Sequence, residues 1–454
     1  MKWVVRRKAA SPMNSNPDNV AVDQLHAVPR GYKVRSPWMR NILTFLMVFG
    51  PGLIVMEADN DAGAVSTYTQ AGGQYGLSLL WVMLLLLPVC YFIQEMVVRL
   101  GIATGRGHAA MIYERFGKWW GRFSLFDLLL VNFLTLVTEF AAISLATQQM
   151  GISPNLSIPI AAVALVIHVT SGSYRRWERI TCILCLLDLT WVAMAIFCHP
   201  HVGAMIRKTL MPTVPGGGFT VSLVFLVIAI VGTTIAPWQL FFQQSCVADK
   251  RLRFADLKWA RLDTFIGACF TVIVGGAMMI VGSVSYRHGL SYEDPAKMAD
   301  AIRPFFHDDF VRNGILIMFC KAAVLGTTAI SLSSAWAFSE VRGWKHGLDT
   351  KFKEAPGFYT TYALCTLAAA SLVLIPSAPL QLIILGVQVL AGIILPSAII
   401  FLQLLLNDHK LLGDRWVNKR WNNIINWTII IILFALSLIL AAQVMVPSLF
   451  PAQS

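Results

Sequence analysis

Charge is scarce in this chain. Only 13% of its 454 residues are Asp, Glu, Lys or Arg, whereas soluble domains are nearer a quarter charged. Runs that alternate apolar and polar residues are missing too, which excludes a membrane β-barrel. The histidines stand in loops or at helix ends, apart from His168, so a histidine-based metal site is not expected. Eight cysteines occur, nearly all inside apolar runs, and no extracellular disulfide framework can be drawn from them. Cys182 and Cys185 form a C-x-x-C, but within an apolar run, where they read as small apolar helix residues. No loop gathers a nucleophile, a base and an orienting group, so no enzyme and no cofactor are expected. Residues 1–37 are polar and basic, without an apolar core followed by a cleavage site. They read as a mobile cytoplasmic tail rather than a signal peptide.

What remains is apolar. Hydrophobic residues make up 56% of the chain, and many runs reach the ~20 residues that cross a hydrocarbon core. We expect an all-α polytopic membrane protein, its lipid-embedded part covering 38–454. Eleven spans are predicted: 42–71, 77–100, 123–149, 156–172, 177–199, 219–248, 256–286, 311–340, 357–375, 379–406 and 423–446. An amphipathic connector, 101–122, is expected on the membrane surface, and a polar loop is expected over 287–310.

The net charge of +12 could suggest a nucleic-acid partner. The basic residues, however, sit in short loops between apolar runs and alternate in side. One set of loops holds Arg106, Arg115, Lys118 and Arg122, then Arg175, Arg176 and Arg179, then Lys250, Arg251 and Arg253. It continues with Arg342, Lys345, Lys351 and Lys353, and with Lys410, Arg415, Lys419 and Arg420. The intervening loops lack basic residues or, at 287–310, carry more acids. The pattern places the N-terminus in the cytoplasm and the C-terminus outside a plasma membrane, with the lipid bilayer and no nucleic acid as partner.

Two spans are interrupted. The first carries Glu57-Ala58-Asp59-Asn60-Asp61-Ala62-Gly63, the sixth Thr233-Thr234-Ile235-Ala236-Pro237-Trp238-Gln239. They lie five spans apart. Five is odd, so the second group of five enters from the opposite face, giving an inverted repeat of five plus five helices (42–199 and 219–406) with an eleventh added. Paired interruptions of this kind point to a transporter's binding site. Three carboxylates at bilayer depth need a cation or protons to offset them. Hence Asp61, Asp59 and Asn60 are candidate ligands of a hard divalent cation, joined by Thr233, whose carbonyl loses its helical donor at Pro237. The acids have a blander reading, in which Glu57 in particular only caps a half-helix. Pro237 likewise could be a plain kink. Glu139 reads as a supporting acid or proton acceptor. Asp127 and Asp188 either do the same or pair internally, and Lys321 reads as an internal ion-pair partner. Gln388 either completes the metal shell or bridges helices.

These stretches resemble the NRAMP divalent metal transporters. Gly50-Pro51-Gly52, Asp61-Ala62-Gly63-Ala64 and Gln70-Ala71-Gly72 look like that family's GPG, DPGN and QAG. Ala236-Pro237-Trp238-Gln239-Leu240-Phe241-Phe242-Gln243 resembles its MPHNLFLH, Glu139-Phe140 its third-helix glutamate motif, and Gln388-Val389 with Leu395-Pro396-Ser397-Ala398-Ile399-Ile400 its tenth helix. The resemblance implies a LeuT-type fold with alternating access, a ligand role for Asp61 and Gln388, and a proton-pathway role for Glu139. The departures matter as much. Ala64 replaces the motif asparagine and Ala236 the methionine, at the position whose backbone or side chain would face the metal. Trp238 and Gln243 replace the two histidines, leaving these two and Gln239 as supporting residues. Oxygen-only sites suit Mg²⁺, Ca²⁺ and Mn²⁺, and thioethers suit softer metals. The chain therefore looks like the NRAMP-related magnesium transporter branch. We expect a monomer carrying Mg²⁺, and Mn²⁺ as well, without obligatory proton coupling. A proton-coupled Mn²⁺/Fe²⁺ transporter is the alternative. A sodium-coupled amino-acid carrier on the same fold is a remote one, since three acids would repel a substrate carboxylate.

Overall fold

The computed structural model describes residues 37–170, 173–215, 218, 220–375 and 378–445. The expected N-terminal tail therefore lies outside the described residues, except for Pro37. The chain divides after Val48. The first unit contributes one described helix, α1 (Pro37–Val48); all that follows concerns the second unit.

No strand occurs among the described residues. In order the helices are α2 (Pro51–Ala58), α3 (Ala62–Tyr75), α4 (Leu80–Thr104), α5 (His108–Phe116), α6 (Lys118–Gln149), α7 (Pro154–Val169), α8 (Tyr174–Leu186), α9 (Leu189–Phe197) and α10 (Val202–Leu210). They continue with α11 (Val221–Thr234), α12 (Pro237–Asp249), α13 (Leu257–Arg287), α14 (Pro295–Ile302), α15 (Phe310–Arg342), α16 (Pro356–Val373), α17 (Leu380–Leu406), α18 (His409–Trp416) and α19 (Arg420–Met445). Proline opens α2, α7, α12, α14 and α16, where a missing N–H costs nothing and the fixed φ suits the first turn.

Each predicted span has its helix. Eight are long and apolar enough to cross a membrane, α8–α9 and α11–α12 each counting as one. The other three are the interrupted α2–α3, the 16-residue α7 and the 18-residue α16. Four short helices, α5, α10, α14 and α18, lie between the spans and had no predicted bounds. α5 does not lie free on a membrane surface: His108, Ala109, Met111 and Ile112 are buried, and the helix packs on α6, α12 and α15. α10 is an exposed amphipathic helix between the fifth and sixth spans. The polar loop 287–310 folds into α14, capped by Asp294, which accepts from Ala296 N at 2.9 Å and Lys297 N at 2.8 Å.

Two packing systems surround the interruptions. α13 lies along α2, α3 and α4, while α6 lies along α15, α16 and α17. The α3–α13 crossing is very close because glycines face backbone. A Cβ on Gly72 would stand 2.0 Å from the Met279 carbonyl oxygen, and one on Gly282 would stand 2.2 Å from that of Thr69. α3, α11 and α17 meet one another, and α2 meets α12. The two interruptions are thereby brought into the interior.

Candidate metal centre

α2 ends at Ala58 with Asp59 at its C-cap. Asp61 is extended (φ −74°, ψ −172°) and caps α3, its Oδ1 accepting from Ala64 N at 2.9 Å. A carboxylate there also suits the positive end of the helix dipole. The first interruption is thus Asp59–Asp61. In the second, α11 stops at Thr234, Ile235 leaves helical geometry (φ −141°, ψ 83°), and Ala236 is extended ahead of Pro237. The two are tied together: Tyr68 OH in α3 lies 2.8 Å from Thr234 Oγ1.

The polar atoms here divide into satisfied and unsatisfied. Glu57 is satisfied at both oxygens, by Thr271 Oγ1 at 3.1 Å and Asn60 Nδ2 at 3.3 Å. Asp59 has no hydrogen-bond partner at either carboxylate oxygen, although the residue is 0% exposed. Asn60 Oδ1 and Thr233 Oγ1 are also buried without partners. Glu139 accepts from Ala62 N at 3.2 Å through one oxygen, and its other oxygen is unpartnered. Buried polar atoms nearly always find a partner, so the unengaged oxygens at the two interruptions mark them out.

Gln388 comes to both interruptions. Its side chain covers Gly63, where a Cβ would meet Nε2 at 1.7 Å, and its carbonyl oxygen would stand 2.1 Å from a Cβ on Gly232, the neighbour of Thr233. Only glycine at 63 and 232 admits α17 this closely. The unpartnered Gln388 Nε2 cannot ligate a cation; rotation of the amide presents its oxygen instead.

The remaining candidates are directed elsewhere, except that the Gln239 amide stays within electrostatic reach of Asp59. Ala236 caps α12, its carbonyl accepting from Gln239 N at 3.2 Å. Trp238 packs edge-on against Phe242 with ring centroids 5.9 Å apart, its carbonyl accepting from Ser333 Oγ at 3.0 Å. Gln239 accepts from Gln94 Nε2 at 2.8 Å, and Gln243 donates to Thr264 Oγ1 at 3.3 Å. Among the described residues no three His, Cys, Asp or Glu side chains are grouped to hold a metal by themselves. Any cation held here draws on amides, hydroxyls, backbone carbonyls and water beside Asp59 and Asp61.

Some supporting residues escaped the sequence reading. Asp263 in α13 receives Gly52 N at 2.7 Å, Leu53 N at 3.2 Å and Gly50 N at 3.3 Å, and so caps α2. Thr271 of the same helix holds both Glu57 and the Met56 carbonyl. Their only signal was being polar in an apolar span. Asp127 and Asp188 pair internally, with Ser397 and Lys321 respectively.

The natural resistance-associated macrophage protein-like (Nramp) family profile matches residues 52–443. The divalent metal cation transporter MntH of Staphylococcus aureus is 24% identical over 461 aligned positions, covering 95% of this chain and 97% of that protein. Among solved structures, the manganese transporter of Eremococcus coleocola superposes with a TM-score of 0.74 at 18% identity, covering 94% of this chain and 91% of that one. MhsT, solved with L-phenylalanine, superposes with a TM-score of 0.55 at 13% identity over 86% of this chain and 98% of that one. The chain belongs to the Nramp family, a family of membrane transporters and not of enzymes.

Proposed function

We propose that this protein imports divalent metal cations, Mg²⁺ first and Mn²⁺ also, by alternating access. The observation that carries the reading is Asp59: a fully buried carboxylate with neither oxygen engaged, at one of two facing helix interruptions. Asn60 Oδ1, next in the chain, and Thr233 Oγ1, at the other interruption, are also unengaged, with Asp61 at the start of α3 and Gln388 reaching toward both breaks. The set is all oxygen. Ala236 brings no thioether and leaves room for a cation that keeps some of its waters, as Mg²⁺ does. The metal cargo of the relatives agrees with a divalent cation.

We further infer a monomer and, on the alternation of basic loops, a plasma-membrane protein with the N-terminus cytoplasmic and the C-terminus outside. The potential alone draws two charges inward with about 4.6 kcal/mol per 100 mV, so proton coupling is not required. Proteoliposomes loaded with a Mg²⁺-sensitive dye test the reading. Saturable influx that Asp61→Ala abolishes supports it; no influx, or influx indifferent to that substitution, overturns it.

A second reading, proton-coupled Mn²⁺/Fe²⁺ uptake, is favoured by Glu139. Its carboxylate reaches the first interruption at Ala62 N through one oxygen and leaves the other free to carry a proton. A pH dye in the same vesicles separates the two, since acidification driven by metal entry favours the second.

A further inference from the structure

A second polar centre lies deep in the protein, joined to the metal candidates through Glu57 and its Asn60 donor. The fifth span is not one regular helix. Between α8 and α9 the bonding tightens to i→i+3, with Asp188 N to Cys185 O and Trp191 N to Asp188 O both at 3.0 Å. That step aims Asp188, 0% exposed, at the Lys321 ammonium of α15, with which it forms an ion pair. The second Asp188 oxygen has no hydrogen-bond partner. Glu57, on α2, lies within electrostatic reach of both. Cys185, fully buried in α8, feels all three charges. Two buried carboxylates and one ammonium therefore meet where α2, α8–α9 and α15 come together.

Such a group is expensive to bury and is strongly destabilised when one member is removed. The donors to Glu57 from Thr271 and Asn60 are neutral, so the cation acting on it is Lys321, which is already paired with Asp188. We propose that the Lys321 ammonium is a tethered counter-cation. It holds the half-helix α2 to α8–α9 and α15 through Glu57 and Asp188, and so frees the transport cycle from a sodium or potassium co-ion. Lys321 is a positioning residue: it acts on α2 through Glu57 and is not itself a metal ligand. The inference rests on the reading of the chain as a metal carrier.

Lys321→Ala leaves two carboxylates facing a space the size of the lost side chain. A small monovalent cation has the charge needed to fill it. The test is Mn²⁺ influx into proteoliposomes buffered with choline, Na⁺, K⁺ or methylammonium. Wild-type influx is expected to be equal in all four. Influx by Lys321→Ala is expected to be low in choline and to recover several-fold in at least one of the other three. The exchanged pair Asp188→Lys with Lys321→Asp keeps the ammonium and is expected to need no such ion.

Wild-type flux that requires Na⁺ or K⁺ overturns the proposal. So does Lys321→Ala flux that equals wild type in choline, or that recovers in none of the cations. A Lys321→Ala protein that cannot be purified folded in Na⁺ or K⁺ buffer also counts against it, since those ions should replace the ammonium. Absence of wild-type metal influx altogether would instead defeat the metal-carrier reading.

Discussion

A carboxylate at bilayer depth costs about 3 kcal/mol, and a hydrogen-bond donor left out of its reach adds to that. Asp59 bears this cost without a protein partner, which makes it the residue whose replacement should separate stability from function. Asp59→Ala should raise the thermal stability of the metal-free protein by about 1–3 kcal/mol. The same change should weaken Mn²⁺ binding by more than about tenfold, or 1.4 kcal/mol. Calorimetric titration and thermal unfolding on one preparation check both signs. Ala236→Met tests the donor chemistry from the other side. An added thioether should shift selectivity toward Mn²⁺ over Mg²⁺, read as competition between the two in flux. At this scale the sequence singled out Asp59, Asn60 and Asp61, because polar side chains in an apolar run have few explanations. It left Glu57 open, since its satisfaction depends on Thr271, 214 residues away. No spacing rule reaches that far.

The half-helix α2 is only eight residues long, too short to persist by its own propensity. Asp263 compensates by accepting three of its N-terminal N–H groups. Asp263→Ala should cost about 1–2 kcal/mol and slow transport, measured as a lower unfolding midpoint with reduced flux, while Asp263→Asn should lose less. α5 provides a pH dependence outside the spans. Burial pushes the His108 imidazole down to about 4, against the opposing bond from Gln244. The unfolded chain binds the proton near 6.5. Stability is thus fully present above that pH and is lost as the pH falls toward 4, by up to about 3 kcal/mol. His108→Gln should flatten this loss between pH 6.5 and 4.5 in thermal unfolding. Interrupted and long spans were legible because proline and runs of twenty apolar residues are strong local signals. The short helices α5, α10, α14 and α18 were not. Eight or nine residues give barely two turns of periodicity, and tertiary packing decides them.

The whole molecule follows from where its polar groups can be tolerated. Unsatisfied backbone at membrane depth survives only when enclosed by protein. The two interruptions meet that condition, being enclosed by α13 on one side and by α6, α15 and α17 on the other. The inverted repeat was readable from the odd number of spans between the breaks. The close approach of Gln388 to Gly63 and Gly232 was not, because it depends on how the halves cross. Orientation is a property of the whole chain, and the proposed one rests on the alternation of basic loops. A reporter fused at the N-terminus should be active only as a cytoplasmic fluorophore. One at the C-terminus should be active only as a secreted phosphatase.

The most direct test of a metal centre built from two interrupted spans is anomalous diffraction from crystals grown with Mn²⁺. The account predicts one peak bounded by Asp59, Asn60, Asp61, Thr233 and the Gln388 amide, with water completing the shell. A dominant peak anywhere else, or none at saturating metal, would contradict it.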